Sequence, residues 1–210
     1  MQPKNRRYLK LAVFAACLAP LAWLLLRALE VAGPRLGPNP IDVIMDTLGL
    51  WGLRLLLLTL AVRPATVLLR KPWILGFRRM LGLFAFFYLS LHFLTWLVLD
   101  QWLSVAAILA DVAKRPYITV GFTAFVLLLP LAITSTAKWM RRLGRRWVEL
   151  HRLIYPAAIL GCTHFWWQEK ADFREPLAYA AILAVLLGWR AWHARIRHVF
   201  HTAMAAANER

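Results

Sequence analysis

Three histidines, His92, His151 and His164, stand inside long apolar stretches of a 210-residue chain. An ionisable side chain at such a depth costs free energy unless it has a partner, so each is a functional candidate by default. His92 follows Arg79, the inner end of its stretch, by thirteen residues, a rise of roughly 20 Å in a helix. His164 follows Trp147 by seventeen, roughly 25 Å. If both stretches cross a membrane in one direction, the two imidazoles reach a comparable depth, the geometry of two axial ligands on a single haem iron. His151 precedes His164 by thirteen residues and lies roughly 20 Å lower on the same stretch, where a second cofactor would sit. On a straight helix those two side chains point roughly 140° apart. Pro156, between them, supplies a kink by removing a backbone donor and displacing the carbonyl of Arg152.

Each histidine has a plainer reading, a ring hydrogen-bonded to a neighbouring helix. For one isolated histidine the two readings are even, whereas two at matched depth favour ligation. Zinc also suits imidazole, but a structural zinc site takes four close ligands, and the only Cys near either ring in sequence is Cys162, read as a packing residue. Two ligands in a wide apolar surround suit a porphyrin better. Arg54, Arg78, Arg79 and Arg152 are the candidates to pair with its propionates near the inner end, with snorkelling to the interface as the alternative. His193, His198 and His201 fall in a basic tail and read as a solvated face, with His193 kept as a candidate inner partner. Cys17 and Cys162, the only cysteines, sit in apolar runs at opposite ends of the chain and read as packing residues.

The elements that must position these rings are membrane spans. The chain is 61% hydrophobic, above the usual range of a soluble domain, and Leu81 to Leu99 and Pro116 to Ala137 hold no Asp, Glu, Lys or Arg. Runs of that length cross a bilayer. Six spans fit, at about residues 9–29, 43–62, 79–99, 116–137, 147–167 and 175–192, forming one all-α polytopic helix bundle. The segment Gly33 to Pro40 is too rich in Gly and Pro to be helical. Trp102 to Val112 carries an apolar stripe that suits a helix lying flat at the outer interface. The Trp residues mostly fall near span ends, as an aromatic belt requires.

The net charge of +16 invites a nucleic-acid reading, but the basic residues alternate with the spans. Eighteen fall on the N-terminal side of the membrane, in four clusters headed by Lys4, Arg63, Lys138 and Arg190. Six fall on the other side: Arg27, Arg35, Lys114, Arg115, Lys170 and Arg174. Such asymmetry places both termini in the cytoplasm of a bacterial inner membrane and removes nucleic acid as a partner. Among the motifs sought, no glycine-rich nucleotide fingerprint is present.

Leu150-His151-Arg152-Leu153-Ile154-Tyr155, followed by His164 in the same span and with Ser90-Leu91-His92-Phe93 in span three, resembles the ferric reductase-like transmembrane domain, a group that includes the NADPH oxidases. The resemblance covers essentially the whole chain and is closest to small bacterial members without a dehydrogenase domain. It implies two haems b stacked between helices three and five, each helix giving two histidines. His92, His151 and His164 match three of those four, and the fourth position falls at Arg78 or Arg79. The inner site therefore holds haem through an unusual ligand or holds another cofactor, and FMN is associated with the family. The resemblance also implies a partner, a periplasmic molybdopterin-dependent enzyme that reduces methionine sulfoxide in oxidised proteins. It implies electrons drawn from quinol or from a cytosolic flavin reductase. The competing class is a transporter or channel whose membrane histidines relay protons or bind metal.

Overall fold

The computed structural model describes residues 3–208, with side chains for residues 5–196. Among the described residues every regular element is helical: α1 (Pro3–Ala28), α2 (Pro40–Leu68), α3 (Arg78–Leu94), α4 (Val105–Lys114), α5 (Tyr117–Ile133), α6 (Ala137–Leu143), α7 (Arg145–Leu150), α8 (Ile154–Gln168) and α9 (Arg174–Asn208). A 3₁₀ turn, Pro72–Phe77, leads into α3, and a π-turn, Thr95–Asp100, leaves it.

Four segments are long and apolar enough to cross a bilayer on their own: Asn5–Ala28, Pro40–Leu68, Pro72–Asp100 and Arg174–Ile196. The pair α4 and α5, bent by 110°, makes a fifth. The remaining expected span, 147–167, is not one helix, because a 3₁₀ turn at His151–Leu153 separates α7 from α8. The break lies where Pro156 predicts it. Proline in the first turn of α8 has no N–H for the carbonyl of Arg152, so the ladder tightens just before it.

α2 is the centre of the bundle. Leu48, Leu53, Leu55, Leu56, Leu57, Leu60 and Val62 are all buried along it, as expected of a helix that is apolar on every side and surrounded by others. Gly52 brings α3 close, since a Cβ there would meet Leu89 Cγ at 2.6 Å. Small residues do the same elsewhere, with Ala85 of α3 and Ala157 and Ala158 of α8 fully buried. On the outside Leu58, Val126, Ile159 and Val185 are exposed, an apolar surface that lipid covers.

Tyr88 joins α1 to this core. Its hydroxyl donates to the Cys17 carbonyl at 2.7 Å and accepts from the Leu21 N–H at 3.1 Å. These groups are four residues apart in α1, so the phenol enters the helix ladder beside Pro20. Between α3 and α5, Trp102 and Leu103 adopt positive φ of 51° and 56°, turning the chain into α4. Ser104 caps that helix by accepting from the Ala107 N–H.

Candidate functional site

α3 carries His92 and α8 carries His164, and the bundle brings the two rings together with centroids 6.3 Å apart and planes at 76°. Two imidazoles binding one metal ion from opposite sides, with metal–nitrogen bonds of about 2 Å, place their centroids roughly 6 Å apart. The spacing therefore leaves room for one ion between them.

Each ring is oriented by a main-chain carbonyl. His92 Nδ1 lies 2.9 Å from the Met45 carbonyl of α2, and His164 Nδ1 lies 2.8 Å from the Tyr117 carbonyl of α5. A carbonyl only accepts, so both Nδ1 atoms carry the proton and both Nε2 atoms keep a lone pair. A ligating histidine is usually fixed in this way, its second ring N–H donated to a backbone oxygen.

The carbonyls are reachable because of two glycines. In a helix the side chain at position i+4 leans back over the carbonyl at i, and the residues four beyond Met45 and Tyr117 are Gly49 and Gly121. A Cβ on Gly49 would stand 3.0 Å from His92 Nδ1, and one on Gly121 would stand 2.6 Å from His164 Nδ1. The same device, a carbonyl, a glycine four residues on and a histidine 47 residues beyond the carbonyl, thus occurs once in α2 with α3 and again in α5 with α8. It is an internal repeat of backbone geometry in which the Gly and the His recur and the residue supplying the carbonyl does not.

Both rings line one cavity of about 330 Å³, within the range of small-molecule and cofactor sites. Its walls are apolar, with Leu50, Leu53, Phe93, Phe122, Phe125 and Leu128 among them. Phe93 stacks on Phe125 in this wall, centroids 5.2 Å apart, and Phe86, outside the lining, backs Phe125 at 5.5 Å. Asp46, Arg115, Gln168, Glu169 and Glu175 make the polar part of the lining. Paired imidazoles with free Nε2 atoms, a flat apolar slot and a polar mouth fit the donor set and shape of a haem.

His151 stands apart from this cavity, in the 3₁₀ turn. Its Nδ1 donates to the Trp147 carbonyl at 3.0 Å, its ring stacks on Trp147 with centroids 3.8 Å apart, and its Nε2 is buried with no hydrogen bond of normal geometry, the Leu131 backbone being the polar group near the ring. Trp147 is itself fixed by donating Nε1–H to the Thr134 carbonyl. Arg78 is half-buried and within electrostatic reach of His151 and Tyr155, while Arg79 and Arg152 are exposed. Arg54 donates to the Tyr179 hydroxyl at 2.7 Å and lies over the Trp51 ring. None of these four arginines lines the cavity between His92 and His164. His193 stacks on Trp189, and the side chains of His198 and His201 lie outside the described residues. Sequence reasoning missed Gly49, Gly121 and Arg115. Glycines inside leucine-rich spans were the available signal, because each needs a packing reason.

The fold and this site define a polytopic membrane bundle with a pair of facing intramembrane histidines. Residues 48–162 match the family model described as ferric reductase like transmembrane component. A protein of Xanthomonas campestris pv. campestris named protein-methionine-sulfoxide reductase heme-binding subunit MsrQ is 53% identical over 186 residues, covering 87% of this chain and 85% of that protein. The MsrQ of Xanthomonas axonopodis pv. citri is 52% identical with the same coverage. The MsrQ of Ralstonia nicotianae is 48% identical over 195 residues, 91% of this chain and 88% of that protein. The chain belongs to the ferric reductase-like transmembrane family.

Proposed function

We propose that this chain is a haem-binding electron-transfer subunit of a methionine-sulfoxide reductase system, and that His92 and His164 hold haem b as its two axial ligands. One observation carries the reading: the two rings stand 6.3 Å apart, each with Nδ1 tied to a carbonyl. When bound, haem b supplies one-electron chemistry at iron. The two Nε2 atoms would hold it, and ligation by two histidines suits electron transfer over catalysis on a bound substrate. Met45 and Tyr117 hold the imidazoles in one tautomer, and Leu50, Phe93 and Phe125 exclude water from the slot. Sulfoxide reduction then falls to the partner, the periplasmic molybdopterin-dependent MsrP. Electrons would enter from quinol or a cytosolic flavin reductase, with both termini cytoplasmic in the inner membrane.

His151 is the proposed ligand of a second, inner haem, supported by its buried Nε2, which makes no hydrogen bond of normal geometry, and by the nearby Arg78, since the resemblance puts the fourth histidine's position at Arg78 or Arg79. Flavin fluorescence of the denatured protein decides whether FMN accompanies or replaces that haem.

The test is the absorption spectrum of the purified protein. The reading requires a Soret band that is lost, wholly or in its larger part, in His92→Ala and in His164→Ala. A colourless protein from haem-sufficient cells would favour a transporter with metal- or proton-binding histidines.

A further inference from the structure

Resting on the haem reading, we infer that Arg115 binds the propionates of the haem held by His92 and His164, from the corner between α4 and α5. Haem b carries two carboxylates, and a dianion entering a slot must meet a cation or remain in water. Among the described residues lining the cavity, Arg115 is the only Lys or Arg, whereas Asp46, Glu169 and Glu175 are all acidic. Three carboxylates on that lining repel a propionate, so the attractive position is beside the one guanidinium.

The guanidinium is also held in place. Arg115 Nε donates to Asp111 Oδ1 at 3.0 Å, and the Asp111 side chain is only 10% exposed. The other Asp111 oxygen accepts from Trp96 Nε1 at 3.1 Å and from Gln101 Nε2 at 3.3 Å. This carboxylate binds Arg115 through Nε and the Tyr117 side chain lies within hydrogen-bonding reach, leaving the remaining Nη donors available at a side chain that is 51% exposed. Trp96 lines the same cavity, and Arg115 precedes Tyr117, whose carbonyl orients His164, by two residues. Cation, anchoring carboxylate and ligand orientation are therefore built into one corner. The inner-end arginines expected from the sequence to serve this haem are absent from its lining.

The test is reconstitution of the apoprotein with haem b and, separately, with its dimethyl ester, which lacks the propionate charges. Affinity is read from Soret titration. The wild type should prefer haem b over the ester, and Arg115→Gln should weaken haem b binding on the order of tenfold to a hundredfold, the worth of a charged hydrogen bond, while leaving the ester unchanged. Arg115→Lys should restore part of the preference. Asp111→Asn, which loosens the anchor but keeps the cation, should retain preference for haem b and guards against misfolding of the glutamine variant. Equal weakening of both ligands by Arg115→Gln, or no change in either, overturns the assignment. A wild type that takes up neither ligand refutes the haem reading itself, which is a separate failure.

Discussion

Gly121 lies so close to His164 that a β-carbon on it would stand 2.6 Å from Nδ1, against 3.0 Å for Gly49 and His92. Both glycines clear the path from an imidazole to a helix carbonyl one turn earlier. The two contacts differ in tightness, and their substitution should differ accordingly.

Gly121→Ala should displace the His164 ring and abolish most of the haem signal, with an overpacking cost of about 1–3 kcal/mol. Gly49→Ala should retain haem at reduced occupancy. Haem-to-protein ratio from the pyridine haemochrome checks the order, and equal occupancy in both variants would count against the carbonyl device.

His151→Ala should leave the absorption of the His92–His164 site intact, because His151 does not line that cavity. If His151 holds a second haem, the haem-to-protein ratio should fall by about half, reflecting one of the two haems implied by bis-histidine ligation between paired helices. A ratio unchanged from wild type assigns His151 a structural role against Trp147.

Tyr88→Phe should lower stability by about 1–3 kcal/mol, since its fully buried hydroxyl bridges two backbone groups of α1. The absorption spectrum should not change, as Tyr88 lies outside the cavity lining. Thermal denaturation in detergent, followed alongside the Soret band, separates the two effects.

Topology is open to labelling with a membrane-impermeant maleimide. Cys17 and Cys162 are buried and should give little background. In spheroplasts Asp172→Cys should react and Arg142→Cys should react only after lysis. The reverse pattern would invert the orientation that the basic residues define.

How much of this was legible before the structure depends on whether side chains or backbone carry the information. His92 and His164 announced themselves, since a polar ring in an apolar span is conspicuous, and helical rise alone set their matched depth. Pro156 marked the break before α8 for a steric reason that is local. The orienting partners of the rings were hidden, because Met45 and Tyr117 act through carbonyls that any residue possesses. Gly49 and Gly121 become meaningful only once α2 meets α3 and α5 meets α8. Arg115 looked like a topological charge in a loop. Its role depends on the 110° bend between α4 and α5; Pro116 marks a break there, but its angle is set only by packing. The six spans were counted from apolar length, and α8, with 15 residues, is too short to register as one of the long helices until α7 and the turn are added.

The central claim is that His92 and His164 jointly grip one iron. The most direct measurement is low-temperature EPR of the oxidised, purified protein and its variants. With ring planes at 76°, the oxidised protein should give a low-spin ferric signal of the highly anisotropic kind given by near-perpendicular imidazoles, absent from both His92→Ala and His164→Ala and retained in His151→Ala. Persistence of that signal in either of the first two variants would contradict it.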